Sequence, residues 1–258
     1  MIDPIHVVHV SPHPDDEAVG CPAALMAFTQ FGHTVTNLVT SLGRPEDRKR
    51  RTAEARTAAR IGGFELVISD DVVAAGPDTY EQVVVSELLA LASTDDRPLV
   101  LVSPSPHDNH PRHEQVGRAV AEAGRLLGER ASWLMYAVWG SLPLPTTYFS
   151  FDDDALGRAR LLLSAYGGEV ARNDYHQLVA GRSMANTTLG MEQIFGFGAA
   201  ESWPHPFTEL FTEVRYLDEA WRAAEPRRLE GSNPTATHFD RDITAWIRQR
   251  SPRDLVSW

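Results

Sequence analysis

The sequence predicts an α/β fold of the Rossmann-like type, with a mostly parallel sheet and helices on both of its faces. Short apolar runs rich in β-branched residues recur along the first half of the chain, and segments with apolar residues three and four positions apart separate them. This alternation is typical of parallel strands joined by right-handed crossovers. Ligands bind such sheets beyond the carboxyl ends of the strands, so polar residues there are candidates for a functional site.

Five strands and four intervening helices follow from this pattern. In chain order, the strands are predicted at 5–11, 34–40, 64–68, 98–103 and 132–138, and the helices at 22–31, 46–62, 79–93 and 112–129. The last helix shows the pattern most clearly, because Val116, Val120 and Ala123 fall on one face. Pro111 suits the first turn of that helix and places His110 at its cap.

The pattern changes after about residue 140. Two more helices are predicted at 152–165 and 169–189, and an aromatic segment follows from Phe195 to Tyr216. We expect this irregular and helical C-terminal region to roof the site. The chain is expected to form a single domain, with an α/β part at 1–217 and a C-terminal extension at 218–258 packed on it.

Composition and charge limit the functional class. With 258 residues, 43% of them hydrophobic, the chain can bury a substantial core. It has 24 Lys and Arg against 35 Asp and Glu, a net charge of −11, which would repel nucleic acid and anionic membranes. The charge would favour a cationic substrate, although a solvated acidic surface is the simpler explanation.

Cysteine usage and hydropathy bear on the compartment. Cys21 is the single cysteine, which excludes an intramolecular disulfide. The first residues, MIDPIHVVHV, lack the basic and long apolar regions of a secretory signal. The longest apolar stretches, 98–102 and 133–139, are far shorter than the roughly 20 residues of a membrane-spanning helix. We therefore expect a cytoplasmic protein with no membrane or nucleic-acid partner.

Two polar segments at predicted strand ends form a candidate metal site. The first follows the strand at 5–11 and contains His13, Asp15, Asp16 and Glu17. Three neighbouring acids repel one another unless a cation or a basic partner compensates them, so folding alone does not explain this segment. The second segment is SPSPHDNHPRHEQVG, at 103–117.

His110 and His113 of the second segment lie three residues apart and can converge on one point. The positive end of the predicted helix disfavours the imidazolium and would leave His113 neutral for coordination. Two histidines and one carboxylate with an open position constitute a catalytic zinc site, although iron, manganese or cobalt fit the same donors. A single His or Asp at a strand end is more often a hydrogen-bonding cap, whereas their combination favours a metal.

These segments resemble the PIG-L/LmbE-like family of N-acetylglucosaminyl deacetylases. The resemblance rests on PHPDDE at 12–17, on H-x-x-H at 110–113 followed by EQVGRAV, on R-x-x-E at Arg51 and Glu54, and more loosely on ELF at 209–211. It covers roughly residues 5–130. It implies zinc-dependent hydrolysis of the acetamide of an N-acetylglucosamine-type sugar.

Residue by residue, the resemblance implies that His13, Asp16 and His113 bind zinc and that Asp15 is the general base. His110 would face the developing oxyanion and then protonate the leaving amine, as a positioned histidine can do near neutral pH.

The sequence departs from the family at Arg112, where an aspartate commonly orients the histidine two positions earlier. Either Asp108 supplies this carboxylate, or His110 acts mainly as a hydrogen-bond donor to the oxyanion.

The resemblance also implies contacts from Arg51, and from Asp70 or Asp71, to sugar hydroxyls. A solvated helix face is the alternative for Arg51. We expect Glu17 to hold the Asp-rich turn through backbone hydrogen bonds rather than act on substrate, and His107 to line the mouth of the site. In the aromatic segment, Trp203, His205 and Phe207 are expected either to stack on a sugar or to pack in the core.

The sequence thus predicts a zinc-dependent deacetylase acting on a soluble aminosugar, such as an antibiotic or other natural-product intermediate or a sugar-linked thiol precursor. Three alternatives stay open: another metal-dependent amidase or phosphoesterase, a deacetylase of lipid-linked N-acetylglucosamine, and a non-catalytic binding protein that retains a metal.

Overall fold

The computed structural model describes residues 4–76, 78–198 and 204–249. Its strands are β1 (His6–Ser11), β2 (Thr34–Val39), β3 (Glu65–Ile68), β4 (Leu99–Pro104), β5 (Ala131–Tyr136), β6 (Thr147–Phe151), β7 (Phe207–Leu217), β8 (Ala220–Ala224), β9 (Arg227–Arg228) and β10 (Phe239–Asp242). Its α-helices are α1 (Asp16–Gly20), α2 (Pro22–Gln30), α3 (Arg48–Gly62), α4 (Asp70–Ala74), α5 (Tyr80–Ser93), α6 (Pro111–Leu127), α7 (Asp153–Leu163), α8 (Gly167–Arg172), α9 (Tyr175–Phe195) and α10 (Thr244–Arg248).

The main sheet has the strand order β10-β8-β7-β5-β4-β1-β2-β3. The five strands from β5 to β3 in this order are parallel, and β7, β8 and β10 add antiparallel pairs beyond β5. The predicted Rossmann-like α/β fold is therefore confirmed. All five predicted strands and all four helices between them are present, with bounds within two residues of those expected. The strand order reverses at β1, so the crevice between the ends of β1 and β4 is the expected ligand position.

Helices cover both faces of the parallel strands. Successive residues of a strand point to opposite faces, and Val7 accordingly packs with α2 and α7 whereas Val8 packs with α5 and α6. Trp133 of β5, 1% exposed, is the largest fully buried side chain on the second face. Burial on both sides explains why these strands are nearly continuous apolar runs rather than alternating ones.

Within the C-terminal region, the described part of the aromatic segment 195–216 belongs to the sheet, so core packing is the alternative that applies to Phe207. β7 is an inner strand that pairs with both β5 and β8. Phe207 and Phe211 pack in the core with β6, where Phe207 stacks on Phe151 at 5.7 Å between ring centroids. Apolar side chains in an inner strand serve the core, because both of its faces are covered. Trp203 lies outside the described residues.

The second half of the chain otherwise follows the predicted pattern with one break. The helix expected at 152–165 is α7, and the one expected at 169–189 is divided into α8 and α9. Asp174 marks the division, because its side chain caps α9 by accepting a hydrogen bond from the Gln177 N–H at 3.2 Å. In the described part of the chain, no helix has the length and apolar character needed to cross a membrane.

Residues after 217 extend the same sheet. β8 pairs with β7, β10 pairs with β8, and Ile247 of α10 packs against the core under α6. The separate status of 218–258 as a C-terminal extension of a domain at 1–217 stays a prediction.

Candidate active site

A cavity of about 740 Å³ opens at the carboxyl edge of the parallel strands. The loop after β1, the start of α6 and the segment after β5 form one side, and α3 and α8 form the other. This is the expected position next to β1. The lining residues are His13, Asp15, Asp16, Val19, Gly43, Arg44, Asp47, Arg50, Arg51, Asn109, His110, His113, Val138, Trp139, Gly168, Glu169, Arg172, Asn173 and Tyr175.

Three of these residues offer metal ligands at one point. His13, Asp16 and His113 each present a ligand atom, and all of these atoms lie within 4.8 Å of one another. The Asp16 carboxylate lies between the two rings, with Oδ2 3.3 Å from His13 Nδ1 and Oδ1 3.2 Å from His113 Nε2. The His13 N–H donates to Asp16 Oδ2 at 2.7 Å and thereby closes the turn. Two imidazole nitrogens and a carboxylate oxygen are a donor set that suits a divalent cation.

Asp108 orients His113 from behind. Its side chain is fully buried, and Oδ2 accepts a hydrogen bond from His113 Nδ1 at 2.7 Å. Oδ1 accepts three backbone N–H bonds, from Val138 at 2.7 Å, Trp139 at 3.0 Å and Gly140 at 3.1 Å. A carboxylate that holds Nδ1–H directs the Nε2 lone pair of the same ring toward the ligand position, as is usual for metal-binding histidines.

The charges of the buried carboxylates determine the pKa of His113. Burial alone lowers the pKa of His113, but the charges of Asp16 and Asp108 outweigh burial and raise it to about 10. Two adjacent carboxylates thus act more strongly on His113 than the helix terminus does, and a neutral His113 in coordination stays a prediction. Burial opposes ionisation of Asp16 as well, but His113 and His13 hold its pKa well below the usual range. The three groups together favour a positive charge between them.

Asp15 lines the cavity beside these ligands. It adopts φ 122°, a conformation that is uncommon outside glycine and costs on the order of 1–3 kcal/mol. Burial, followed by the charges of Asp16 and Glu17, raises the pKa of Asp15 well above its ordinary value. A buried carboxylate with a raised pKa is a stronger base than a free one, which suits proton transfer.

The His110 ring lies next to the rings of both His13 and His113. Its ring centroid is 4.7 Å from that of His113 and 5.2 Å from that of His13, and Trp139 stacks on it at 6.2 Å. Asp108, the carboxylate considered for His110, bonds His113 through Oδ2. The Arg112 guanidinium lies 3.9 Å from the centroid of the Tyr80 ring.

The remaining predicted residues divide into two groups. Arg51 lines the cavity and pairs with the buried Glu169, which also accepts a hydrogen bond from Arg172 at 2.8 Å. Asp71 is exposed on α4 and does not line the cavity, and neither does Asp70. His107 turns away to Trp246 of α10, whose carbonyl oxygen lies 2.7 Å from Nε2.

Glu17 is the buried member of the acidic segment. The Tyr166 hydroxyl donates to it, and Ser11 Oγ donates at 3.5 Å. Burial raises the pKa of Glu17 to about 7, despite the hydrogen bond from Tyr166. Glu17 therefore lies below the turn and does not line the cavity, and these contacts come from side chains; its expected role in holding the turn through backbone hydrogen bonds stays a prediction.

Several cavity residues carry no signal in the sequence. Glu169, Trp139 and Tyr175 belong to segments without a recognisable motif, and Glu169 contacts Arg51, which is 118 positions away in the chain.

Glu209, which lies outside the cavity, has a partial signal in the sequence, the ELF motif at 209–211. Its carboxylate accepts the N–H groups of Ala23 at 2.8 Å and Ala24 at 2.9 Å, and so anchors the start of α2 on β7.

The fold and the His–Asp–His cluster define an α/β protein with a candidate metal centre at the switch point of its sheet. Residues 8–124 match the family model of PIG-L, described as GlcNAc-PI de-N-acetylase. The resemblance to this family that the motifs predict is therefore confirmed over residues 8–124. No curated protein matches the chain.

Several solved structures share the fold. The A40926 pseudoaglycone deacetylase Dbv21 has a TM-score of 0.62 and 16% identity, with 84% of this chain and 100% of that one covered. The 4-carboxy-2-hydroxymuconate hydratase GalB from Pseudomonas putida KT2440 has a TM-score of 0.60 and 13% identity, with 81% of this chain and 95% of that one covered. The N,N'-diacetylchitobiose deacetylase from Pyrococcus horikoshii has a TM-score of 0.59 and 14% identity, with 82% of this chain and 84% of that one covered.

Proposed function

We propose that this protein is a zinc-dependent N-deacetylase that hydrolyses the acetamide of an N-acetylglucosamine-type sugar. The observation that carries the proposal is the convergence of His13, Asp16 and His113 on one point of a cavity, with Asp15 beside them. The family match and two deacetylases among the structural neighbours agree with this reaction.

The donor set fits zinc, since catalytic zinc sites commonly combine three such ligands with an open position. A cation held there would supply Lewis acidity for water activation and carbonyl polarisation. The chain contributes the orientation of the ligands, because Asp108 fixes the ring of His113 and the His13 N–H fixes the carboxylate of Asp16.

Two residues of the chain are proposed to move protons. Asp15, which lines the cavity beside the three ligand residues, accepts a proton from the attacking water, and the charge of a bound cation would favour the ionised form that this requires. His110, whose ring lies beside those of His13 and His113, is proposed to act first as a hydrogen-bond donor to the oxyanion. Protonation of the leaving nitrogen by the same ring then completes hydrolysis.

Side chains from both walls of the cavity are proposed to bind the sugar. Arg51 and Glu169 present polar groups for hydroxyls, and Trp139 and Tyr175 present aromatic rings on which a pyranose can stack. A cavity of about 740 Å³ accommodates a small conjugate. We propose an antibiotic or other natural-product intermediate, or a sugar-linked thiol precursor, as the substrate.

Hydration is a second candidate because the hydratase GalB has the same fold, and a fold does not determine the chemistry of its site. Acetate release distinguishes the two reactions directly. The test is acetate release by zinc-loaded protein from N-acetylated aminosugars, pseudodisaccharides and glycosides, together with a lipid-linked N-acetylglucosamine.

We expect Asp15→Asn to lower turnover by about 10²–10⁴ and to retain zinc, because Asn cannot accept the proton. Asp154→Asn, on the exposed start of α7, is the matched control and should behave as the wild type. Absence of acetate from every compound, with stoichiometric zinc bound, would contradict the proposal. It would favour another acyl group or a binding role.

A further inference from the structure

The segment Val138–Gly140, which follows β5, is held from two sides. Its three N–H groups donate to Asp108 Oδ1. On its other side, the Arg182 guanidinium donates to the carbonyl oxygen of Val138 and, at 3.4 Å, to that of Gly140. The same short loop therefore connects a cation on α9 to the anion behind His113.

The surroundings of Arg182 show a site built for this contact. The side chain is half-buried, and its Nε is fully buried. Burial lowers the pKa of Arg182, and the charge of Asp108 acts in the opposite direction. The peptide groups of 138–140 lie between the two charges, with carbonyl oxygens toward the cation and N–H groups toward the anion. Such an arrangement is electrostatically favourable for both charged groups.

The segment has little freedom to find another position. A Cβ on Gly140 would lie 3.0 Å from the His107 carbonyl oxygen and 3.3 Å from Asp108 Cα, so the backbone approaches the loop after β4 closely at this point. The Trp139 ring of the same segment stacks on His110. A displacement of this segment would therefore reach both histidines of the H-x-x-H motif, His113 through Asp108 and His110 through Trp139.

We propose that Arg182 is a positioning residue of the metal site. It fixes the 138–140 segment so that three N–H groups hold Asp108, and Asp108 in turn sets the tautomer and position of His113. This proposal rests on the metal site of the proposed function but not on its substrate. The nature of the substrate does not enter the test.

The test compares Arg182→Met, Arg182→Lys and wild type by two measurements. The first is the Kd for Zn²⁺, measured by competition with a chelator. We expect Arg182→Met to raise this Kd about 10- to 100-fold, in line with the loss of other outer contacts of metal ligands. Arg182→Lys retains a cation and donors for the carbonyls, so its Kd should lie closer to the wild-type value. Arg158→Met, the same substitution on the exposed face of α7, should leave the Kd unchanged.

The second measurement is the ¹H NMR signal of His113 Nδ1–H in the zinc-loaded protein. A hydrogen bond to a buried carboxylate moves this signal downfield, and its correlation with the ¹⁵N nuclei of the His113 ring assigns it. We expect the signal to shift or broaden in Arg182→Met and to recover in Arg182→Lys. A general loss of stability would not produce this pattern. The lysine variant retains the charge and the hydrogen-bond donors but not the packing of the guanidinium, so recovery of the signal would show that charge and hydrogen bonding are what matter.

A double variant with Asp108→Asn completes the test. If Arg182 acts through Asp108, the effects of Arg182→Met and Asp108→Asn on the Kd will be less than additive. A wild-type Kd and an unchanged His113 signal in folded Arg182→Met would overturn the proposal, and so would strict additivity. These readouts do not depend on turnover, so a failure to release acetate would count against the proposed function alone.

Discussion

Replacement of the fully buried Asp108 by Asn tests how the His113 ring of the candidate metal site is oriented. The substitution preserves shape, but it replaces one of two carboxylate oxygens by an NH₂ group. Three N–H groups converge on Oδ1, so the remaining amide oxygen must stay there. The NH₂ group then faces His113 Nδ1 at the 2.7 Å position. His113 must accept this hydrogen bond, which places its own proton on Nε2, the atom that faces Asp16.

The magnitude follows from the contacts that change. A hydrogen bond to a charged group contributes about 1.5–3 kcal/mol, and a tenfold change in affinity corresponds to about 1.4 kcal/mol. We therefore expect the Kd for Zn²⁺ to rise about 10- to 100-fold. Turnover should fall as well, because a His113 ring with its proton on Nε2 must change tautomer before it can bind the metal. The same substitution behind a catalytic histidine of a serine protease lowers kcat by about 10⁴ through the wrong tautomer.

The assay combines chelator competition with ¹⁵N NMR of the histidine side chains, which reports the tautomer of His113. Glu213→Gln is the matched control. Glu213 is also fully buried and accepts hydrogen bonds from Thr147, Arg227 and Ala236, but it lies on β7 away from the cavity. This control should lose stability and keep its affinity for Zn²⁺. The reasoning is refuted if Asp108→Asn binds Zn²⁺ as the wild type does, or if His113 keeps its Nδ1–H tautomer.

Two further predictions concern backbone packing and pH. Gly117→Ala should destabilise the protein by about 1–3 kcal/mol in urea unfolding, because the new Cβ would lie 2.5 Å from the Pro106 nitrogen. Gly157→Ala, in the open on α7, should instead stabilise by about 0.5–1 kcal/mol, and equal effects of the two would show that the close contact at Gly117 does not determine the cost. Burial raises the pKa of Glu209 from 4.5 to about 8, so the folded state prefers the protonated form and its stability falls as pH rises across that window. At about 1.4 kcal/mol per unit the loss is at most roughly 5 kcal/mol. Glu209→Gln should flatten the dependence of the unfolding free energy on pH between 4.5 and 8, whereas exposed Glu46→Gln should not; parallel curves for wild type and Glu209→Gln would disprove the assignment.

The parts of the fold that the sequence predicts are those with a local cause. A buried parallel strand is a short apolar run, and an amphipathic helix repeats every three or four residues, so the first 138 residues could be assigned from periodicity. The convergence of His13, Asp16 and His113 was predictable as well, because polar residues that follow β1 and β4 must meet at one edge of the sheet. Periodicity does not reveal which element an inner strand pairs with. β7 therefore carried no signal of its place beside β5.

The contacts that could not be predicted join residues far apart in the chain. Arg51 meets Glu169 across 118 positions, and Ala23 meets Glu209 across 186. The choice of Asp108 between two histidines is a subtler case. His110 and His113 are three residues apart, and only the direction of the buried carboxylate, set by the N–H groups of 138–140, decides which ring it holds. That decision depends on tertiary packing rather than on spacing.

The three consecutive acids of PHPDDE repel one another in an extended chain, and the fold gives each of them a different environment. Asp16 stays ionised despite its burial, because the two histidines beside it lower its pKa. Glu17 is buried below the turn, where Tyr166 donates to it and burial favours its neutral form. Asp15 faces the cavity, where burial and then the charge of Asp16 raise its pKa. A divalent cation at the Asp16 position would offset that repulsion and favour ionised Asp15. The fold thus separates the three neighbouring acids, and the proposed function uses this separation by assigning metal binding to Asp16 and proton transfer to Asp15, with Glu17 buried below the turn.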